Sequence, residues 1–296
     1  MDETRRAQLA AAGVDVEEAL TRFMGNEDLI LKFLLRFPED PSFFQLKAAM
    51  EDGDAGILCS FFVGGISVNE VFRQEKKYWL TQIDMQILSG RLEKVMLQDP
   101  HNGAQGYTIR SLYFDTLGET DYQGKIDGLE LRRKIRLRAY DPAAAFAMLE
   151  MKQKEGNYQK KRSLRLERAD AQAVARGQYD PLLRYADPFA AECYGLLHGQ
   201  CYRPKTIVEY RRKAFIAREN KIRITLDHQI RATESCWDLF SPQLNLYPVM
   251  DPFNGLLEVK YNGFLLSYIK TLINGADRGE LSVSKHCLAR SATLHY

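Results

Sequence analysis

Beyond residue 70 the chain alternates apolar and polar residues in a series of short segments, as β-strands with two different faces do. These segments lie at 71–80, 107–115, 131–140, 146–152, 160–167, 206–216, 221–227 and 256–261. Stretches with helical spacing interrupt them at 81–96, 170–176, 187–198 and 263–274. Eight successive strands of this kind predict an α+β domain built on a closed, eight-stranded antiparallel β-barrel with covering helices.

The first part of the chain follows a different pattern. Between residues 16 and 50 apolar residues recur at helical spacing, which predicts a short helical bundle, and residues 53–65 are a glycine-rich linker or a weak helix. Residues 1–56 carry 6 Lys and Arg against 12 Asp and Glu, whereas the remainder carries 35 against 27. We therefore divide the chain into a helical segment, 1–69, which could contact another protein, and a domain, 70–296.

Charged residues in the predicted strands occupy alternate positions and so share one face of the sheet. Lys134, Arg136 and Arg138 alternate with Ile135 and Leu137. The same alternation recurs at Glu75 and Lys77, Glu150 and Lys152, Tyr210 and Arg212, Arg223 and Thr225, and Glu258 and Lys260. An outward-facing charged surface would explain one such strand. Its recurrence over six strands favours a charged lumen, that is, a tunnel.

A tunnel lined by Arg and Lys requires an anionic ligand with several charges, and Arg binds phosphate oxygens through two nitrogens. The pattern therefore predicts a polyphosphate chain, with Lys134, Lys260, Tyr113 and Tyr210 on the substrate-binding face. Glutamates among these cations predict a divalent metal that bridges carboxylate and phosphate oxygens. The alternative is a salt bridge from each glutamate to the Lys two residues further along. The candidate ligands are Glu75, Glu150 and Glu258.

Composition excludes several other classes of protein. Apolar residues make up 45% and charged residues 27%, typical of an ordinary soluble domain. The five cysteines form no CxxC pair, and no P-loop, HExxH or GxSxG motif occurs. No apolar stretch reaches the ~18 residues of a membrane span, so we expect a cytoplasmic protein. Nucleic acid is not expected as a partner, because neither a stacked aromatic pattern nor a basic helix is present.

Eight short motifs follow one another in a recognisable order. They are RQEKKY at 73–78, SLYFD at 111–115, IRLR at 135–138, LEMK at 149–152, YRRKAF at 210–215, IRITLD at 222–227, LEVK at 257–260 and VSK at 283–285. Over 71–290 the sequence thereby resembles the VTC (vacuolar transporter chaperone) domain, a member of the triphosphate tunnel metalloenzymes.

The resemblance implies a tunnel that binds ATP and polyphosphate with Mn²⁺ or Mg²⁺, and transfers the γ-phosphate of ATP to the growing chain. It also implies roles for individual residues. Lys125 matches a phosphate-binding arginine, and Glu258 matches the metal-binding glutamate. The implied catalytic residues are Lys77, Arg136, Arg138, Lys152, Arg212, Arg223 and Lys285.

One departure from the family pattern affects the expected activity. The first strand reads Arg-x-Glu-x-Lys, where hydrolytic relatives have Glu-x-Glu-x-Lys, which favours transfer over hydrolysis. A metal-dependent tripolyphosphatase or nucleoside triphosphatase, and a non-catalytic polyanion-binding module, remain the alternatives. Residues 1–55 faintly resemble the opening of a histidine phosphotransfer domain, but no histidine precedes His101, so a phosphorelay is not expected.

Overall fold

The structure of the protein is a computed structural model that describes residues 73–156, 158–274 and 279–294. The predicted helical segment at 1–69 lies outside the described residues, and the domain boundary near residue 70 stays a prediction. In the described residues, no helix is both long enough and apolar enough to cross a membrane.

The described part contains ten strands and six α-helices. The strands are β1 (Arg73–Thr81), β2 (Leu97–Gln98), β3 (Tyr107–Asp115), β4 (Arg132–Ala139), β5 (Phe146–Glu155), β6 (Tyr158–Glu167), β7 (Arg203–Ile216), β8 (Arg223–Thr233), β9 (Tyr247–Pro248) and β10 (Asn254–Asn262). The helices are α1 (Gln82–Leu92), α2 (Thr120–Ile126), α3 (Arg168–Ala175), α4 (Pro188–Gly199), α5 (Ser267–Ile273) and α6 (Lys285–Leu294). The α+β class and the eight long strands are confirmed. The structure adds β2, β9, α2 and α6, which the sequence pattern did not predict.

One antiparallel sheet holds all ten strands. The eight long strands follow the order β1-β10-β8-β7-β3-β4-β5-β6, while β2 pairs with β7 and β9 pairs with β8. No ladder joins β1 to β6 in the described residues, so the expectation of a closed barrel is wrong in this respect. The sheet instead curls so that its first strand approaches the strand next to its last, since Lys152 Nζ on β5 lies 3.4 Å from Glu75 Oε2 on β1.

The alternation in the sequence places apolar residues on the outer face of this curl. Ile135 and Leu137 of β4 are fully buried in a cluster that includes residues of α3 and α4. A second cluster forms where α1 and α5 cover β8 and β10. Because the helices take up the apolar face, the charged face of each strand points into the curl.

Helix α6 packs on the inner side. Its Ala289 belongs to an apolar cluster with Tyr113 and Tyr210, whose strands present them on the charged face. The inside of the curl is therefore part charged cavity and part apolar packing around α6.

Candidate functional site

A cavity of about 700 Å³ lies inside the curled sheet. Twelve Lys and Arg residues and three Glu residues line its described part. The basic residues are Lys77, Lys125, Arg132, Arg133, Lys134, Arg136, Arg138, Lys152, Lys154, Arg212, Lys260 and Lys285. The acidic residues are Glu75, Glu258 and Glu280. Such an excess of cations in a confined space is stabilised by a ligand with several negative charges.

One wall is formed by β4 and β3. Arg136 Nη1 donates to the Tyr113 hydroxyl at 3.2 Å, and Arg138 Nη2 donates to the Tyr210 hydroxyl at 3.3 Å. Burial raises the pKa of Tyr113, but Arg136, Lys134 and Arg138 outweigh it and lower that pKa to about 8. The tyrosines thus hold the guanidinium groups in place and are themselves in a strongly positive environment.

The next wall is organised by Asp227 of β8, which is fully buried. Arg212 Nε lies 2.6 Å from Asp227 Oδ1, and Arg212 Nη2 lies 2.7 Å from Oδ2. Lys285 Nζ, at the start of α6, lies 2.6 Å from Asp227 Oδ2. One carboxylate therefore holds two cations from different elements, and both cations line the cavity.

The two central carboxylates of the cavity, Glu75 and Glu258, lie among lysines. Glu75 Oε1 is 3.0 Å from Lys77 Nζ, and its Oε2 is 3.4 Å from Lys152 Nζ. Lys260 Nζ forms an ion pair with Glu258 and lies 3.8 Å from Glu75 Oε2. Lys260 thus bridges the two carboxylates.

These contacts shift the pKa values of the carboxylates and lysines in the cavity. Burial and the charge of Glu258 raise the pKa of Glu75, but Lys260, Lys77 and Lys152 outweigh them and lower it to about 2. Burial, together with Lys260 and Lys77, lowers the pKa of Lys152 to about 8, although Glu75 opposes this. The lysines therefore repel one another without an anion, and a bound phosphate would stabilise their charged forms.

The segment before α6 crosses the cavity and meets three of its lysines. Lys125 Nζ donates to Ser282 Oγ at 2.7 Å, and Lys134 Nζ donates to Ser284 Oγ at 2.6 Å. Lys77 Nζ donates to the backbone oxygen of Val283 at 3.0 Å. This segment completes the lining near β1, since Leu281 N also donates to the backbone oxygen of Lys77 at 2.9 Å.

The structure brings together most of the predicted site residues. Lys77, Lys125, Lys134, Arg136, Arg138, Lys152, Arg212, Lys260, Lys285, Tyr113, Tyr210, Glu75 and Glu258 all line the cavity. Arg223 and Glu150 are not among its lining residues. Arg223 Nη2 instead lies 2.9 Å from Asp99 Oδ2 and donates to the Tyr107 hydroxyl at 3.3 Å.

Glu150 of β5 is buried next to the wall. Its carboxylate accepts hydrogen bonds from Arg136 and from Lys161. The sequence also offered a salt bridge from each glutamate to the Lys two residues further along. Glu75 and Glu258 form such pairs, with Lys77 and Lys260 respectively. Glu150 has partners on the two neighbouring strands instead.

Asp227 is the main site residue that the sequence analysis missed. It alternates with Arg223 and Thr225, so its position on the charged face could have been predicted. Arg132 was missed in the same way, because it shares the face of Lys134. Ser282 has no comparable signal, because it lies outside regular secondary structure.

A metal ion would have few protein ligands in this cavity. The described residues contain no group of three or more His, Cys, Asp or Glu side chains that could hold a metal. Mg²⁺ and Mn²⁺ in nucleotide sites are commonly bound by one or two carboxylates together with phosphate oxygens. Glu75 and Glu258 provide that number of carboxylates, so the donor set fits an ion that a bound phosphate chain helps to hold.

Comparison with known proteins gives the family. HpAC1 from Hippeastrum, a candidate adenylyl cyclase described as having a dominant triphosphatase activity, is 14% identical; the match covers 74% of this chain and 96% of that one, with a TM-score of 0.46. A candidate adenylate cyclase from Bacillus halodurans is 10% identical over 72% of this chain and 95% of its own, with a TM-score of 0.43. No curated protein matches. The sequence model of the VTC domain matches residues 72–294, well over half of the 296 residues. The chain therefore belongs to the VTC domain family.

Proposed function

We propose that the protein transfers the γ-phosphate of ATP to a growing polyphosphate chain inside the charged cavity. The observation that carries this proposal is the lining itself, which in the described residues has twelve Lys and Arg against three Glu. The cations come from both sides of the cavity, from β4 and β5 and from β1, β7 and β10. A flexible chain of phosphates can contact all of these walls at once, whereas a single anionic group cannot.

The cations provide what phosphoryl transfer requires. In this reaction an oxygen of the terminal phosphate of the chain attacks the γ-phosphorus, and the bond from the γ-phosphorus to the β-phosphate oxygen breaks, releasing ADP. Catalysis of such a step rests on positioning and on stabilising charge over the phosphate oxygens. Arg136, Arg138 and Arg212 are held by their partners and can present fixed N–H groups to those oxygens.

A divalent ion, when bound, supplies further neutralisation of charge on the β- and γ-phosphates. Glu258 and Glu75 would hold it. Lys260, which pairs with both carboxylates and lines the cavity, is placed to donate to phosphate oxygens beside them.

The cavity carboxylates are poorly suited to act as the base that hydrolysis requires. Hydrolysis requires a base to activate water, and an efficient base has a pKa near the working pH. The lysines around Glu75 lower its pKa to about 2, and those around Glu258 also hold its pKa well below the ordinary value. A phosphate chain end is already anionic and needs no such base. A tripolyphosphatase activity is the second candidate, because the same cavity would bind its substrate.

The proposal is tested by removing cations from the cavity wall. Arg136→Met and Lys152→Met should each lower ATP turnover at least roughly 100-fold, because each removes charge stabilisation from the transition state. Lys160→Met is the matched control, since Lys160 is exposed on β6 and faces away from the cavity. Turnover that stays at the wild-type rate in Arg136→Met or Lys152→Met would contradict the proposal.

A further inference from the structure

Glu150 has an unusual position for a carboxylate beside a cationic cavity. It is only 4% exposed, and it is not among the residues that line the cavity. Arg136 Nε and Nη2 each lie 2.7 Å from the same oxygen, Oε2. Lys161 Nζ forms an ion pair with the other oxygen, Oε1. Arg138 Nε lies 3.9 Å from Oε2. Both oxygens are thus engaged by cations of the protein.

Three adjacent strands provide these charges. Arg136 of β4 is directly opposite Glu150 of β5, and Glu150 is directly opposite Ser163 of β6. Lys161 is two residues from Ser163 on the same face, a diagonal distance that a long side chain can span. The side chain of Lys161 is about half exposed, at 51%, and Lys161 is not among the residues that line the cavity.

The arrangement fixes the Arg136 guanidinium at two places. Glu150 holds Nε and Nη2, and the Tyr113 hydroxyl accepts from Nη1 at 3.2 Å. An arginine held in this way presents its remaining N–H groups in one orientation. Fixed donors of this kind position phosphate oxygens for reaction. Because Lys161 offsets part of the negative charge of Glu150, that carboxylate cancels less of the positive potential that Arg136 presents to a ligand.

We propose that Glu150 is a positioning residue for Arg136 rather than a metal ligand, and that Lys161, which shares this face of the sheet but does not line the cavity, supports it. Lys161, Glu150 and Arg136 thus form a chain of two ion pairs, which we call the relay. This inference rests on the proposed function only for the identity of the ligand, a phosphate chain.

The affinity for inorganic tripolyphosphate, measured by calorimetry without metal, tests the relay. Lys161→Met should weaken binding about 3- to 10-fold, and the neighbouring control Lys160→Met should not change it. In an Arg136→Met background Lys161→Met should have no further effect, because the relay then has no end point. Equal affinities for Lys161→Met and Lys160→Met, or the same loss in both backgrounds, would overturn the inference.

The metal requirement tests the role of Glu150. For Glu150→Gln we expect kcat to fall about 10-fold or more, while the Mn²⁺ concentration for half-maximal rate stays within about twofold of wild type. A large rise in that concentration would overturn the positioning role. If wild type binds tripolyphosphate but consumes no ATP, the proposed function fails, and the affinities still test the relay. If wild type does not bind tripolyphosphate, both fail.

Discussion

Arg212 and Asp227 form a bidentate ion pair across β7 and β8, with Nε 2.6 Å from Oδ1 and Nη2 2.7 Å from Oδ2. Lys285 shares the same carboxylate. Because Asp227 is fully buried, its removal leaves two cations without their counter-charge. Asp227 therefore stabilises the domain and at the same time holds two cations that line the cavity.

For Asp227→Asn we expect a loss of about 3–5 kcal/mol in the free energy of unfolding, as is usual when one partner of a buried ion pair is removed. Thermal or denaturant unfolding measures it. Glu167→Gln is the control, since Glu167 pairs with Arg165 at 3.6 Å with both side chains largely exposed. That variant should lose less than about 1 kcal/mol. Similar losses in the two variants would show that Asp227 does not have this role.

Gly106 packs directly against the backbone of Arg212. Its φ is +78°, and a Cβ built there would be 2.2 Å from the backbone oxygen of Arg212. We expect Gly106→Ala to cost about 1–3 kcal/mol from strain alone and to weaken tripolyphosphate binding, because Arg212 must move. Gly103→Ala is the control, since its Cβ would have only an ordinary contact at 3.4 Å. A Gly106→Ala protein with wild-type melting temperature would contradict the close approach.

The pH dependence of stability should report Asp121, which is in contact with the cavity residue Arg133 at 3.6 Å. Burial and the carboxylate of Asp115 raise the pKa of Asp121 to about 7 from an ordinary value of 3.8. Between these values the native state keeps a proton that the unfolded chain has released. Stability from this group is therefore complete below about pH 4 and is lost as the pH rises to about 7.

For Asp121→Asn we accordingly expect a higher melting temperature than wild type at pH 8 and little difference at pH 4. The amide can still accept from Tyr202, whose hydroxyl lies 2.9 Å from Asp121 Oδ2. A difference in melting temperature that is the same at both pH values would mean that Asp121 does not titrate in this range.

Glu258 should be needed for the metal but not for the phosphate chain. For Glu258→Gln we expect metal-dependent turnover to fall roughly 100-fold or more. Tripolyphosphate affinity in a chelator should stay equal or increase, because the cavity loses a negative charge. Glu280→Gln is the control, since Glu280 also lines the cavity but pairs with Lys76 at 3.3 Å. If Glu258→Gln no longer bound tripolyphosphate in the presence of the chelator, a role limited to the metal would be contradicted.

The charged face of the tunnel could be predicted from the sequence because side-chain direction in a strand repeats every two residues. That rule predicts Arg136 and Lys152 on the charged face, and both line the cavity. The same alternation does not specify which residues on neighbouring strands come into contact. It therefore missed the partners of Glu150, which are Arg136 and Lys161 on neighbouring strands.

Closure of the sheet was predicted wrongly for a related reason. Whether β1 and β6 meet depends on strand tilt and register, which accumulate over the whole sheet. Arg223 shows the same limit on a smaller scale. Its alternation predicted a tunnel position, but its partner Asp99 comes from a loop whose path the strand pattern does not encode.

The fate of the γ-phosphate tests the proposed reaction most directly. The full chain is incubated with ATP labelled at the γ-phosphate, a polyphosphate primer and Mn²⁺ or Mg²⁺, and the products are separated by size. Transfer predicts label in chains longer than the primer, with one ADP formed for each phosphate added. Label that appears only as free phosphate, with the primer unchanged, would contradict it and would identify a hydrolase instead.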